Sequence, residues 1–568
     1  MSITPGRLGK QYDSAIAAGL RTNLVPRIMN RDATVFSKSK KIRDLVANRL
    51  GWVDSAQLMA RRVNQIKTFG NAVFAAKFRH VLLMGMGGSS LCPEVFKRIH
   101  KCHPRLKSFD VIDSTDPAAV SAITRKLELK KTLFIVASKS GGTIETRSHE
   151  AFFLYQLREL GVSQPGRQFV AITDEGSALQ LDARRLKYRK VFVNPSDIGG
   201  RFSAMSFFGL VPGLFAGADI DALASKALGM QEMMAEREGE SNPALQLGAI
   251  MSAAAQNGID KLTFVASKRT APLVPWIEQL VAESTGKQGK GLVPVEAEPP
   301  GKTSEYGKDR LIVSVRMASE RATEQQKFVA KMIAQRSPVV QMTLEGPADL
   351  GKQFLLWEGA TAVAGQQLKI NPFDEPNVTE SKENTRKILE AFERSGQFPD
   401  EQAKKSWGGL ELIAFGGPQR MGAATLESPN QTLERFLASA KPPKFVALLG
   451  YFKSDPATER AFEEIRKRIR SELGVATLRG YGPRFLHSIG QLYKGGPQNG
   501  LYIVFVRSKY SRLPIPGKVF DFGQLIAAQA MGDSQALIKR DLPTLVIGVN
   551  KQPASGLAEF LSVLNRAI

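Results

Sequence analysis

The chain has 568 residues, 43% of them hydrophobic, and a formal net charge of +24. That length predicts two α/β domains with elaborations, or three or four smaller units, with enough apolar residues for sizeable cores. No apolar run approaches the ~18 residues of a membrane-spanning helix, so no such helix is expected.

The cysteine content and the net charge narrow the range of protein classes to which the chain can belong. Cys92 and Cys102 are the only cysteines, too few for a disulfide framework and without the spacing of a metal site. The first residues lack the apolar segment of a secretory signal, so the expected location is the cytoplasm. The excess of 78 Lys and Arg over 54 Asp and Glu favours an anionic partner. Because no RNP, zinc-finger or KH signature accompanies it, we expect attraction of a phosphorylated substrate rather than binding of nucleic acid or a membrane.

Residues 1–70 are basic and are predicted to form a helical N-terminal extension that wraps the first domain. From about 75 to 240, short apolar runs typical of buried parallel strands alternate with helical segments. The strands are predicted at 80–84, 109–113, 133–137, 169–173 and 190–194.

The same alternation begins again after residue 245. Strands are predicted at 261–267, 311–317, 339–344, 444–452, 500–506 and 544–549. Residues 386–442, with several Gly and Pro, are predicted to be a less regular insertion. The whole pattern predicts an α/β fold of two doubly wound parallel-sheet (αβα) domains, 71–245 and 246–568, with a ligand cleft at the carboxyl ends of the strands.

Two glycine-rich loops follow predicted strands of the first domain. Residues 85–90 read Gly-Met-Gly-Gly-Ser-Ser, residues 138–143 read Ser-Lys-Ser-Gly-Gly-Thr, and a helix is predicted after each. A strand, a loop of small residues and a helix N-terminus together present backbone N–H groups to an anion. Neither loop has the GxxxxGK[ST] spacing of a Walker A motif, so the pair predicts a phosphate site of another kind.

A short predicted helix ends in the turn Glu283-Ser-Thr-Gly-Lys287. Its apolar residues share one face, so the helix is expected to be docked and its last turn rigid. They are Trp276, Ile277, Leu280 and Val281. A carboxylate held there is well placed to act as a general base. The alternative is a surface helix in which Glu283 and Lys287 form an i,i+4 ion pair.

The order of these motifs resembles that of glucose-6-phosphate isomerases. The segments that carry the resemblance are 85–90, 138–146, 199–203 (Gly-Gly-Arg-Phe-Ser) and 283–287. The second loop is also similar to the Ser-x-Ser-Gly-x-Thr signature of the sugar-isomerase (SIS) fold. Residues 371–378 and 482–497 resemble the isomerase half of bacterial transaldolase/glucose-6-phosphate isomerase fusions. The resemblance spans about residues 70–540 and implies two SIS-type domains and interconversion of glucose 6-phosphate and fructose 6-phosphate.

The resemblance implies catalytic roles for four residues. Glu283 matches the base that moves a proton between C2 and C1, and Arg201 matches the arginine that stabilises the enediolate. His487 resembles the histidine that assists ring opening, and Lys382 stands where the family has its lysine. The residues implied to bind phosphate and sugar are Gly88, Ser89, Ser138, Lys139, Ser140, Thr143 and Gln279. No metal or other cofactor is implied, and a homodimer is expected because sites of this family usually draw a residue from a partner subunit.

The chain departs from the usual family pattern at three points. His487 follows Lys382 instead of preceding it, an order shared by the fusion enzymes. Glu375 stands where glutamine is usual, and Gly141-Gly142 replace bulkier residues. Two other functions fit the loops: another SIS isomerase acting on glucose and mannose phosphates, or a non-catalytic sugar-phosphate sensor with a basic nucleic-acid-binding surface. The joint presence of Glu283, Arg201 and His487 favours the isomerase, because phosphate capture alone needs none of them.

Overall fold

The N-terminal segment is mainly helical, as predicted. The protein is described here by a computed structural model that covers residues 1–236, 239–321, 323–398, 404–416 and 428–568. The segment opens with a short strand, β1 (Ser2–Thr4). Its α-helices are α1 (Gly9–Arg21), α2 (Leu24–Met29), α3 (Lys40–Ala47), α4 (Ser55–Ala60) and α5 (Val63–Ala75).

The first sheet contains five parallel strands in the order β3-β2-β4-β5-β6. They are β2 (His80–Gly85), β3 (Ser108–Ile112), β4 (Thr132–Ala137), β5 (Phe169–Asp174) and β6 (Lys190–Asn194). Every residue of β2 and β4 is buried, as expected for parallel strands covered on both faces. The helices that follow along the chain are α6 (Gly88–His100), α7 (Pro117–Lys126), α8 (Ile144–Glu159), α9 (Ala178–Arg185), α10 (Phe207–Ala216), α11 (Ile220–Glu236) and α12 (Pro243–Gln256).

The second sheet has the order β1-β10-β9-β7-β8. Its strands after β1 are β7 (Lys261–Ala266), β8 (Val293–Val295), β9 (Arg310–Met317) and β10 (Val339–Leu344). All are parallel except β1, which pairs antiparallel with β10, so the N-terminal extension reaches this sheet and does not wrap the first domain alone. The helices of this region are α13 (Val274–Thr285), α14 (Thr323–Ala334) and α15 (Leu350–Gln367).

The last part of the chain forms a third sheet, in the order β11-β12-β16-β15-β13-β14. The strands are β11 (Lys405–Trp407), β12 (Leu410–Gly416), β13 (Phe445–Tyr451), β14 (Ala476–Tyr481), β15 (Gly500–Arg507) and β16 (Thr544–Val549). β13 to β16 are parallel, whereas β11 and β12 form an antiparallel edge. The helices are α16 (Val378–Ser395), α17 (Pro429–Ala438), α18 (Pro456–Leu473), α19 (Gly490–Gly495), α20 (Phe522–Lys539) and α21 (Pro553–Ala567).

The α/β class and the parallel sheets are confirmed, but the region 246–568 contains two sheets instead of one. Buried parallel strands have the same apolar pattern whichever sheet they join, so the sequence did not mark the division. The predicted irregular insertion at 386–442 contains the end of α16, the β11–β12 hairpin and α17. Residues 399–403 and 417–427 of that insertion lie outside the described residues. The domain boundaries at 70 and 245 stay predictions.

Sheet order places both glycine-rich loops at one point of the first sheet. β2 pairs with β3 on one side and with β4 on the other, so the order reverses between β2 and β4. Ligands of doubly wound sheets bind at the carboxyl ends of strands at such a reversal. The loops after β2 and β4 both begin there. Among the described residues, no helix is long and apolar enough to cross a membrane.

Candidate active site

Arg201 is the most heavily bonded side chain of the site. It lies in a single 3-10 turn (Gly200–Phe202) after β6, and it is buried. Its Nε donates to Ser284 Oγ at 2.7 Å, and its Nη2 donates to the carbonyls of Pro372 and Asp374 at 2.7 and 2.9 Å. These bonds fix the plane of the guanidinium, so that Nη1 is held in one direction.

Nη1 of Arg201 lies between two carboxylates. It is 3.2 Å from Glu283 Oε1 and 3.0 Å from Glu375 Oε2. The Glu283 side chain is 12% exposed and the Glu375 side chain 44%, so Glu283 is the inner carboxylate and Glu375 faces solvent. Burial alone would raise the pKa of Glu375, but the neighbouring Arg201 holds it below the ordinary value. Glu375 therefore carries a negative charge beside the inner pair.

Glu283 occupies the last turn of α13, and the predicted docking of that helix is confirmed by burial of its whole apolar face. Gln279 Nε2, one turn earlier, donates to Glu283 Oε2 at 3.1 Å and to the carbonyl of His487 at 2.8 Å. Burial raises the pKa of Glu283, and the negative charge of Glu375 adds to this, while Arg201 opposes both. The result is a carboxyl group with a pKa above its usual value, which suits a general base.

The alternative surface ion pair between Glu283 and Lys287 is wrong. Lys287 Nζ contacts Asp374 Oδ1 at 2.9 Å and donates to the carbonyl of Asn371 at 2.6 Å. Burial lowers the pKa of Lys287 to about 8. Lys287 thus fixes the segment that carries Glu375, and Glu283 is left to face Arg201.

His487 reaches the site from the third sheet, in a 3-10 turn (Arg484–His487) after β14. Its Nε2 lies 3.0 Å from Glu145 Oε1. Gln529 Nε2, from α20, donates to the same oxygen at 2.7 Å, and Thr115 Oγ1 donates to Gln529 Oε1 at 2.7 Å. This hydrogen-bonded chain fixes Glu145 in place beside the imidazole.

Glu145 sets which nitrogen of the imidazole is available. Burial alone would raise the pKa of Glu145, but the contact with His487 outweighs it and keeps the carboxyl below its ordinary pKa. An ionised carboxylate only accepts hydrogen bonds, so Nε2 must donate the proton in this contact. In the neutral ring Nδ1 is then the nitrogen that can exchange a proton with a ligand.

An ion-pair bridge anchors the turn that carries His487. Arg484 Nη1 lies 2.8 Å from Glu94 Oε2 on α6 and 3.2 Å from Asp113 Oδ2, after β3. Arg484 belongs to the third-sheet region and both carboxylates to the first. The bridge therefore holds the two regions together three residues from His487.

The second glycine-rich loop contributes hydroxyl groups beside His487. Ser138 Oγ and Thr143 Oγ1 are 3.0 Å apart, and Ser138 Oγ accepts from the N–H of Gly141 at 3.1 Å. Lys139 is paired with Asp174 and donates to the carbonyl of Ser196, so its charge is already offset. Ser140 is exposed. Because the N–H groups of Gly141 and Gly142 already donate to Ser138 and Ser140, the hydroxyls of Ser140 and Thr143 are the groups of this loop best placed for an anion.

A cleft of about 540 Å³ opens between this loop, α16 and the His487 turn. Lys382 lines it from α16, together with Arg386, and makes no ion pair among the described residues. Other lining residues are Ser140, Thr143, Glu145, His487, Lys518 and Gln529. The cleft thus presents cations and hydroxyls on either side of an imidazole.

The first glycine-rich loop lets backbone segments approach closely. A Cβ at Gly87, whose φ is +55°, would lie 2.6 Å from the carbonyl oxygen of His487. A Cβ at Gly88 would lie 2.0 Å from the carbonyl oxygen of Gly200, next to Arg201. Ser89 is buried. The loop therefore packs the Arg201 and His487 turns together, and direct contact of Gly88 or Ser89 with a ligand stays a prediction.

Similarity to known proteins agrees with this arrangement. Residues 43–297 match the family model described as "Phosphoglucose isomerase". A probable glucose-6-phosphate isomerase of Natronomonas pharaonis is 30% identical over 347 residues, which cover 54% of this chain and 78% of that protein. The chain belongs to the phosphoglucose isomerase family.

Two further comparisons show how far the family likeness extends. The glucose-6-phosphate isomerase of Prochlorococcus marinus is 32% identical over 238 residues, 40% of this chain, and the chain spans only 44% of that relative. The crystal structure of a hypothetical protein from Thermus thermophilus superposes with a TM-score of 0.57 at 25% identity, over 68% of this chain and 99% of that one. The family match ends at residue 297, before the third sheet that supplies His487.

Three residues of the site have no role that the sequence alone predicts. Glu145 lies within the segment 138–146, where it resembles an ordinary acidic residue in the first turn of a helix. Residues 528–533 belong to the stretch that resembles the family, but they indicate no role for Gln529, because that role depends on a contact with a residue 384 positions away. Glu375 stands out in the sequence as a replacement of the usual glutamine, but the sequence does not predict its contact with Arg201. Its burial among polar partners is what distinguishes Glu145 from an ordinary acidic residue at a helix start.

Proposed function

We propose that the protein interconverts glucose 6-phosphate and fructose 6-phosphate through an enediol, the activity for which its curated relatives are named. The observation that carries the proposal is the buried Glu283 carboxylate held against the fixed Nη1 of Arg201. Aldose–ketose isomerisation needs a base for the proton on C2 and a cation beside the oxygen that becomes negative. One contact supplies both.

Each group has a role that its surroundings support. Glu283 removes the C2 proton and returns it to C1, a contribution of about 10²–10⁴-fold for a positioned base. Arg201 stabilises the enediolate oxygen. His487, with its Nε2 proton directed to Glu145, exchanges a proton with the sugar through Nδ1 during ring opening, and Lys382 is the nearby cation. Ser140, Thr143 and the N-terminus of α8 hold the phosphate.

The cellular location and the oligomeric state are proposed on grounds other than the geometry of the site. We propose that the protein works in the cytoplasm. The predicted homodimer remains part of the proposal. The +24 charge is proposed to attract the phosphorylated substrate, since no nucleic-acid signature accompanies it.

A coupled assay with fructose 6-phosphate and mannose 6-phosphate, side by side and in the presence of EDTA, tests the proposal. Turnover of fructose 6-phosphate alone, undiminished by EDTA, is expected. Comparable turnover of both would assign the broader phosphoglucose/phosphomannose activity. Binding of either sugar without turnover would assign a sensor. Inorganic phosphate is expected to compete with substrate.

Replacing His487 by alanine should affect cyclic substrate far more than open-chain substrate. Ring opening is needed only when the sugar arrives closed, and the later transfer belongs to Glu283. We expect about 10²-fold slower turnover of glucose 6-phosphate, and less than ~10-fold for an analogue methylated on O5, which cannot close the six-membered ring. Glu145→Gln should change the same ratio in the same direction but less. Equal losses on both substrates would give His487 a structural role only.

Glu375→Gln should move the acid limb of kcat/KM to lower pH. A base must be ionised to act, so activity is lost as the pH falls through the pKa of Glu283, which burial and the charge of Glu375 raise. Removing that charge lowers the pKa of Glu283, and Arg201 is then shared with one carboxylate fewer. Glu390→Gln, an exposed partner of Arg386 on the same cleft, is the control and should leave the limb in place. If the acid limb of kcat/KM in Glu375→Gln stays at the same pH or moves to higher pH, the assignment of that limb to Glu283 is contradicted.

A further inference from the structure

A second cavity, of about 380 Å³, lies on the other side of α20 from Gln529. One wall is a long face of α20 that includes Ala527, Met531 and Ile538, and the opposite wall is formed by Val506 and Val546 of the third sheet. Its volume is within the range of small-molecule sites, about 300–1,000 Å³. Its two facing walls are mainly apolar, and polar side chains that include Arg507, Arg512, Asp521 and Ser534 line the rest.

Two polar groups in this cavity lack partners. Ser534, from α20, is only 6% exposed, and its Oγ makes no hydrogen bond with any residue the structure describes. Arg507, at the end of β15, is half-buried and forms no ion pair with any described residue. The buried Arg201 and Arg310 both contact carboxylates, as does the partly exposed Arg484. The buried, unmet hydroxyl of Ser534 is costly unless a ligand satisfies it, and the unpaired guanidinium of Arg507 is available to an anion in the same cavity.

We propose that this cavity binds a small molecule with an apolar body and a single carboxylate- or sulfonate-like group. The apolar walls fit the body. Arg507 would take the anionic group through a bidentate contact, and Ser534 would donate to a second acceptor. A sugar phosphate fits less well, because Val506, Val546 and the apolar face of α20 would leave part of its hydroxyls without partners. The proposal does not depend on the isomerase activity.

Fluorescence titration of the full chain with 8-anilinonaphthalene-1-sulfonate, which has this chemistry, tests the site. One saturable site per chain is expected. Arg507→Gln should weaken binding about 10- to 100-fold, the value of a hydrogen-bonded charge contact. Ala527→Phe fills the cavity from a partly exposed position of α20 and should abolish binding. Arg566→Gln, the same change at an exposed site on α21, is the matched control and should bind normally.

The uncharged analogue N-phenyl-1-naphthylamine separates recognition of the anion from general apolar adsorption. The wild type should prefer the sulfonate, and Arg507→Gln should lose the preference. Circular dichroism of each variant shows whether it is folded. Binding that neither substitution alters overturns the proposal, as does binding of many probes per chain. Self-association of the wild type that Ala527→Phe abolishes, without probe binding, would assign the face to a second copy and overturn it equally.

Discussion

Replacing Glu283 by glutamine is expected to lower turnover at least ~100-fold while substrate binding changes little. The amide preserves the shape of the side chain and can still contact Gln279, but it cannot accept the C2 proton. Arg201 stays bonded to Ser284 and to the two carbonyls, so the site should remain assembled. Steady-state kinetics with fructose 6-phosphate, together with a binding titration, measure both quantities.

Glu278→Gln is the matched control for this variant. Glu278 lies on the same helix and is also buried, and among the described residues its carboxylate is not one of the groups paired with Arg201. The control should keep near wild-type turnover. Near wild-type turnover in Glu283→Gln would remove Glu283 from the role of base, and equal losses in both variants would point to damage of α13 instead of lost chemistry.

Replacing Arg201 by lysine should reduce turnover by about 10²–10³-fold, the usual effect of losing one oriented donor to a developing oxyanion. Lysine keeps the charge, but a single ammonium cannot bond Ser284, two carbonyls and two carboxylates in a fixed plane. The charge that faces the enediolate is then free to move. The loss should appear mainly in kcat, because none of the hydrogen bonds of Arg201 involves the proposed phosphate loop, residues 138–143.

A folding defect must be separated from this chemical effect. Competition by inorganic phosphate reports on the loop alone and should be unchanged in Arg201→Lys. Arg468→Lys, at a partly exposed i,i+4 pair partner on α18 that also donates to the Ile568 carbonyl, is the control and should be silent. If Arg201→Lys turns over within a few-fold of wild type, the fixed geometry of Arg201 is not needed for the reaction.

Sequence motifs indicated the central residues of the candidate site more fully than the residues that hold them in place. Glu283, Arg201 and His487 each stood in a short segment whose residue types fit a required chemistry, and the structure brings the three together. No role was assigned to Glu145, Gln529 or Arg484, although Glu145 and Arg484 lie in segments that carry the resemblance, because their contacts join regions hundreds of residues apart. Local patterns carry no information on such contacts.

The same limit applied to the fold. The apolar runs predicted each strand of the first sheet. They could not assign the strands after residue 405 to a sheet of their own, because burial on both faces produces the same pattern in any parallel sheet. β11 and β12 were missed because a short hairpin among Gly and Pro has too few residues for a clear period.

The pairing of His487 with Glu145 and Gln279 within one chain has a consequence for enzyme activity at low concentration. When a site needs a group from a second molecule, dilution separates the parts by mass action and specific activity falls. Here the proposed ring-opening group and the proposed base lie on the same chain, and Gln279 bonds both the Glu283 carboxylate and the His487 carbonyl. We therefore expect this contact to survive dilution, and a fall in specific activity on dilution would indicate that a second chain completes the site.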